Sequence, residues 1–176
     1  MIDHPAEAAQ APAPAEPIKP ALVAQIHSAR ADLEALLATL DEAALTAPRA
    51  GDWSIKDHLA HLSAWRRKVI GQLAGGTAWA GLGLDETAYR AADGFDALND
   101  VLYHRDRDQS LGEVLAEFRR SHADLLAAVE SAAEADLARP HNPANPDGGR
   151  VADNVIGNSY EHDAEHGGWI REYLAA

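Results

Sequence analysis

An all-α fold, an up-down four-helix bundle with a short additional helix in the crossover between helices two and three, is what this sequence predicts. Three observations lead there. Alanine, leucine, glutamate and arginine fill segments about twenty residues long with a helical period. Two serines followed three residues later by an acid open apolar runs, the signature of capping boxes. No stretch alternates convincingly enough to read as a strand.

Taken in order, the chain opens with "MIDHPAEAAQAPAPAEPIKP", which holds five of the nine prolines and has neither an apolar run nor a basic start. Residues 1–19 are therefore expected to be a flexible leader rather than a signal peptide, and 20–176 the bundle domain. Helix one is expected from about Pro20 to Leu40, with Leu22, Ile26, Ala29, Leu33, Leu36 and Leu37 on one stripe. Helix two opens at "WSIKDHLAHLSAW", where Ser54 and Asp57 have capping-box spacing, and runs to about Leu73. "GGTAWAGLGLDE" reads as a loop and "DALNDVLYHRDR" as the shorter crossover helix. A second box, Ser110 with Glu113, opens helix three, which turns Leu111, Val114, Leu115, Phe118, Leu125, Leu126 and Val129 inward. "EADLARPHNPANPDGG" reads as a loop. Helix four takes Val151 to Leu174.

Composition narrows the function. A chain of 176 residues, 47% hydrophobic, buries one sizeable core. Its formal charge of -13, from 15 basic and 28 acidic residues, argues against nucleic acid as a partner. No stretch approaches the roughly 18 apolar residues that span a bilayer, so no membrane partner is expected and the location expected is the cytoplasm. With no cysteine, site chemistry must rest on nitrogen and oxygen.

The last helix carries "EHDAEHGGW", residues 161–169. At about 100° per residue, Val151, Val155, His162, His166, Trp169 and Tyr173 fall within roughly 60°, with Ile170 on the flank. Two inward imidazoles four residues apart suit a chelate, the competing reading being core histidines that hydrogen-bond to neighbours. Helix two offers His58 and His61, at least one of them inward. A facing histidine added to the pair makes three nitrogen ligands, a count that leaves one position open for water or substrate. "HDAEH" also spells H-x-x-E-H, but metalloproteases with that motif take a further carboxylate well downstream. Only ten residues follow His166, and Glu172 sits on a different face. Glu165 lies about 80° off the stripe, either as a supporting partner of the ligands or as a surface acid.

Other features border this picture. Gly167 and Gly168 interrupt a helix beside His166, clearing space for a ligand or for a neighbouring backbone. Trp53, Trp65, Trp79 and Trp169 are candidates for lining a pocket or for plain core packing. Asn99, Tyr103 and Asp106 share a helical spacing that reads as a polar face. His4, His27, His104, His122 and His141 read as surface or structural.

"GDWSIKDHLAHLSAW", together with "YEHDAEHGGWI", resembles the DinB-like superfamily of metal-binding four-helix bundles. The segment from "DALNDVLYHRDR" to "EADLARP" resembles its ClbS/DfsB family branch; the colibactin-resistance member there lacks the histidine pattern that this chain keeps. The resemblance spans about residues 20–175 and implies a divalent ion, zinc or nickel, held at His61, His162 and His166, with His58 the alternative on helix two. It also implies a homodimer, a small-molecule substrate and, in many members, a low-molecular-weight thiol as co-substrate. The expected function is metal-dependent hydrolysis or thiol transfer on a reactive electrophile, in detoxification or stress resistance. The alternative is a protein that sequesters a small molecule or uses the ion only structurally.

Overall fold

The computed structural model describes residues 17–48 and 53–175. His4 and the expected leader up to residue 16 lie outside them. In chain order the elements are α1 (Ile18–Leu37), α2 (Glu42–Thr46), α3 (Ile55–Leu73), α4 (Ala78–Leu82), α5 (Glu86–Ala91), α6 (Gly94–Asp106), α7 (Leu111–Ser131), α8 (Glu134–Ala138), β1 (Pro140–Asn142), β2 (Asn145–Arg150), α9 (Val151–Gly157) and α10 (Tyr160–Ala175). The fold is the expected all-α bundle, with α1, α3, α7 and the α9–α10 pair as its four long members.

Local chemistry sets the ends. Both capping boxes form: Ser54 N–H donates to Asp57 at 2.8 Å, and Ser110 N–H donates to Glu113 at 2.9 Å. α1 begins two residues before Pro20 because Glu134 of α8 accepts from the N–H groups of Ile18 and Lys19, at 2.9 and 3.0 Å. A carboxylate at a helix N-terminus is the favoured charge there.

Three findings depart from the expected elements. The "GGTAWAGLGLDE" loop contains the short helix α4 and at its last residue enters α5, each helix capped by a side chain, Thr77 for α4 and Asp85 for α5. The expected loop "EADLARPHNPANPDGG" opens with helix α8 and then forms an antiparallel hairpin, Asn142 opposite Asn145, tightened by Asn142 Oδ1 accepting from Ala144 N–H at 3.0 Å. Helix four breaks at Asn158–Ser159. There Asn158 Nδ2 donates to Asn154 O and Ser159 Oγ to Val155 O, side-chain bonds that compete with the helical ladder.

The core forms layers. One cluster joins Leu33, Leu59, Leu62, Phe118 and Ile170 from all four bundle members. A second, toward the other end, joins Leu22, Ile26, Val69, Leu125 and Val155. A third fastens α6 to α3 through Trp65, Leu82, Leu98 and Leu102. Gly81 lets α4 close on α3: a Cβ there would stand 2.8 Å from Lys68 Cα and from Arg67 O.

Candidate metal centre

His58 and His61 face α10 from the first two turns of α3, a helix held at its start by the Ser54–Asp57 box. His162 and His166 face back from α10. The facing requires α10 to be locked in register, which a buried ion pair provides. Arg66, 1% exposed, donates to Asp163, 2% exposed, and thereby ties the residue after His162 to α3. Arg66 also lies over the Phe118 ring at 4.6 Å and donates to Phe118 O at 3.4 Å, while Arg30 takes the ring's neighbourhood at 3.9 Å. Sequence reasoning missed this pair; its only sequence signal is an aspartate wedged into an otherwise inward stripe.

The imidazoles converge through one kind of atom. His162 Nε2 is 3.1 Å from His61 Nε2 and 3.1 Å from His166 Nε2. The ligand atoms of these three residues all lie within 4.8 Å of one another. His58 does something else: its Nδ1 meets the outer nitrogen of His166, Nδ1, at 2.8 Å, and its Nε2 is 3.5 Å from Tyr173 Oη. So the group the fold brings together is His61, His162 and His166, and His58 stands behind His166 as its hydrogen-bond partner. Glu165 is exposed on the far face of α10, where it cannot support the ligands.

Burial sets the charge state. It pulls His61 down to about 3, helped by His162 and His58, and His162 down to about 4, helped by Arg66 and Lys68. His58 falls to about 4 by burial against the opposing pull of Asp57. His166 is lowered by burial first and by its three imidazole neighbours next. At neutral pH the cluster is a set of uncharged lone pairs.

These residues fit a divalent ion. Three neutral imidazole nitrogens suit zinc, nickel and their neighbours. Tetrahedral ligands at 2.0–2.1 Å from an ion stand about 3.3 Å apart, close to the two 3.1 Å separations from His162 Nε2. His61 Nδ1 and His162 Nδ1 are buried without a hydrogen-bond partner, so nothing in the described residues competes for the proton each would carry with Nε2 turned to an ion. With His166 Nε2 likewise turned inward, its proton sits on Nδ1 and donates to His58, a second-layer bond of the kind that orients metal ligands.

Aromatic rings wall the site. Trp53 packs on His58 and His61 with centroids 5.3 and 5.2 Å away, and Tyr103 stacks on Trp53 at 5.5 Å. Trp169 packs edge-on to His166 at 4.6 Å, yet is 40% exposed rather than fully inward. Trp65 lies 6.0 Å from His61 and donates from Nε1 to Asn99. Trp79 is elsewhere, against Tyr89. Gly167 faces α1, where a Cβ would meet Leu33 at 3.8 Å, and Gly168 has nothing within 4 Å; neither glycine clears room at the imidazoles. Asp106 is buried with Arg105. His104 is exposed beside Asp100, and His27 is exposed against the half-buried His122. A cavity of about 470 Å³ lies on another face of α3, lined by Ser63, Arg67, Arg105 and Glu117. It includes none of the four imidazoles.

Residues 25–170, well over half of the chain, match the profile of the DinB superfamily. The fold is similar to the crystal structure of an uncharacterised protein from Escherichia coli UTI89, with a TM-score of 0.68 and 16% identity, over 89% of this chain and 92% of that one. None of the curated proteins compared with it matches this chain.

Proposed function

This chain belongs to the DinB superfamily, and on that premise we propose that it is a metal-dependent enzyme whose His61, His162 and His166 hold one divalent ion, zinc or nickel. The observation that carries this reading is the convergence of the buried ring nitrogens of His61, His162 and His166, with no fourth protein ligand grouped with them among the described residues. A purely structural ion would close its shell with protein, and the convenient fourth ligand, His58, is engaged with His166 instead. Such an ion supplies Lewis acidity, lowering the pKa of water or of a thiol that reaches its open position.

The chain's own residues do the rest. His58 holds the His166 ring in one orientation, Trp53 and Tyr103 keep bulk water from one side, and the Arg66–Asp163 pair fixes α10 against α3. Because the chain has no cysteine, a sulfur nucleophile has to arrive as a low-molecular-weight thiol. The reaction proposed is hydrolysis or thiol transfer on a reactive small-molecule electrophile, of the ClbS/DfsB type, serving detoxification in the cytoplasm as a homodimer. Among the described residues no helix is long and apolar enough to cross a membrane.

Metal analysis of protein purified without a histidine tag or chelator tests the reading. About one divalent ion per chain is expected in the wild type and none at stoichiometric level in His162→Ala. Full metal in that variant would overturn the ligand assignment.

A further inference from the structure

We propose that the substrate is an organic anion whose acid group docks on Lys68 while its reacting end lies at the three histidines. The proposal rests on the metal-site reading above and names the substrate class for it.

The Lys68 stem is buried, the residue being 8% exposed, while its Nζ keeps contact with solvent and among the described residues has neither a hydrogen bond nor a carboxylate partner. Its Nζ lies 4.5 Å over the Trp65 ring. That contact, worth on the order of 1 kcal/mol, leaves the solvent side of the ammonium open to a further partner. The other buried cations are paired: Arg30 with Glu34 and Arg66 with Asp163. Half-buried Arg67 holds both Glu117 and Asp124. In a chain with 28 acidic residues, a recessed ammonium that meets none of the described ones is open to an anion from outside.

Its place on α3 says which anion. His61, Trp65 and Lys68 stand at i, i+4 and i+7, one stripe of the helix, with about 10.5 Å of rise between the ends. Metal ligand, indole and ammonium therefore follow one another along a single line. Phe95, 70% exposed, lies 5.7 Å from the Trp65 ring and extends the apolar middle outward. α4 shuts off the backbone side of Lys68 through Gly81. His141 is lowered by burial and then by Lys68 and Arg139, so positive charge gathers on this side of Lys68 in a chain of charge -13. Burial alone holds Lys68 down to about 8, a loss that a bound acid group would reverse. An inorganic anion would use the ammonium and waste the indole; a carboxylate on an apolar body uses both.

Two measurements test this. In cobalt-loaded protein, binding of 6-mercaptohexanoate and of 6-mercaptohexanol is followed by sulfur-to-cobalt absorption. The acid should bind about ten-fold tighter, the scale of one hydrogen bond to a charged group. The preference should vanish in Lys68→Met and persist in Lys68→Arg. Equal affinities in the wild type would overturn the proposal. Failure of the protein to take up cobalt would instead sink the metal reading. The anion site is then judged on the metal-free protein, labelled with nitrogen-15. Hexanoate, but not hexanol, should shift the Trp65 Nε1–H signal in the wild type and not in Lys68→Met. No shift, or an equal shift with inorganic phosphate, would overturn the organic-anion site whatever the metal result.

Discussion

At the scale of single residues, the histidines decide how the protein responds to acid. His58, His61, His122 and His162 are held between about 3 and 4 in the fold, chiefly by burial. In the unfolded chain each returns to about 6.5. Below that pH the unfolded state binds protons that the fold refuses, so stability is complete above about 6.5 and falls as pH drops toward 4. The urea midpoint of metal-free protein should be clearly lower at pH 5 than at pH 7.5. A midpoint unchanged across that interval would mean that the imidazoles are not neutral in the fold. His58 makes a separate prediction, because on the proposed site it orients His166 through the 2.8 Å contact between their Nδ1 atoms without itself holding the ion. His58→Phe should weaken metal binding about 10–100-fold in competition with a chelator. His58→Gln, whose side-chain oxygen still accepts from His166 Nδ1–H, should keep most of the affinity. Equal losses in the two variants would show that the hydrogen bond is not what matters.

At the scale of elements, the strength of the α3–α10 junction follows from where its ion pair lies. Asp163→Ala leaves Arg66 charged, buried and unpaired, and should cost about 3–5 kcal/mol in urea unfolding, with metal lost as α10 slips. Asp153→Ala breaks an exposed pair with Arg150 and should cost under about 1 kcal/mol. Comparable costs would mean that the Arg66–Asp163 pair is not a lock. The four long helices were legible because their signals are local: a serine and an acid three apart, then an apolar stripe. So was the pair His162 and His166, since spacing along a helix fixes direction, whereas His61 followed from the family resemblance and not from spacing. The hairpin was not, because Pro140–Asn142 and Asn145–Arg150 lie mostly at the surface and carry no apolar alternation. Nor was the break at Asn158–Ser159, which depends on side chains choosing backbone carbonyls over water. The break also explains Trp169: a stripe counted from Val151 through an unbroken helix loses phase by the time it reaches α10. The role of His58 lay beyond reach for another reason, since both helix-two histidines point inward and only the ring positions separate ligand from supporter.

At the scale of the whole molecule, the crossover segment bears on assembly. Of the apolar residues on the crossover segment, Leu98 and Leu102 are buried within one chain, and Leu84, Tyr89 and Tyr103 are half-buried. What remains on α6 is Phe95, 70% exposed, and Val101, 36% exposed; α10 adds Trp169 and Leu174, each 40% exposed. A two-fold dimer, the commonest closed assembly, is proposed to cover part of this set. The charge of -13 on each chain opposes it. Repulsion between like-charged surfaces is screened as the Debye length shrinks from about 30 Å at 0.01 M salt to about 8 Å at 0.15 M, whereas apolar contact is not weakened. A dimer built on these residues should therefore persist or tighten as salt rises, and Phe95→Asp should loosen it by placing a like charge in the contact. Sedimentation at low and moderate ionic strength reads both effects. A monomer under both conditions at concentrations where weak dimers register would rule the assembly out. A dimer that Phe95→Asp leaves untouched would move the interface to another face.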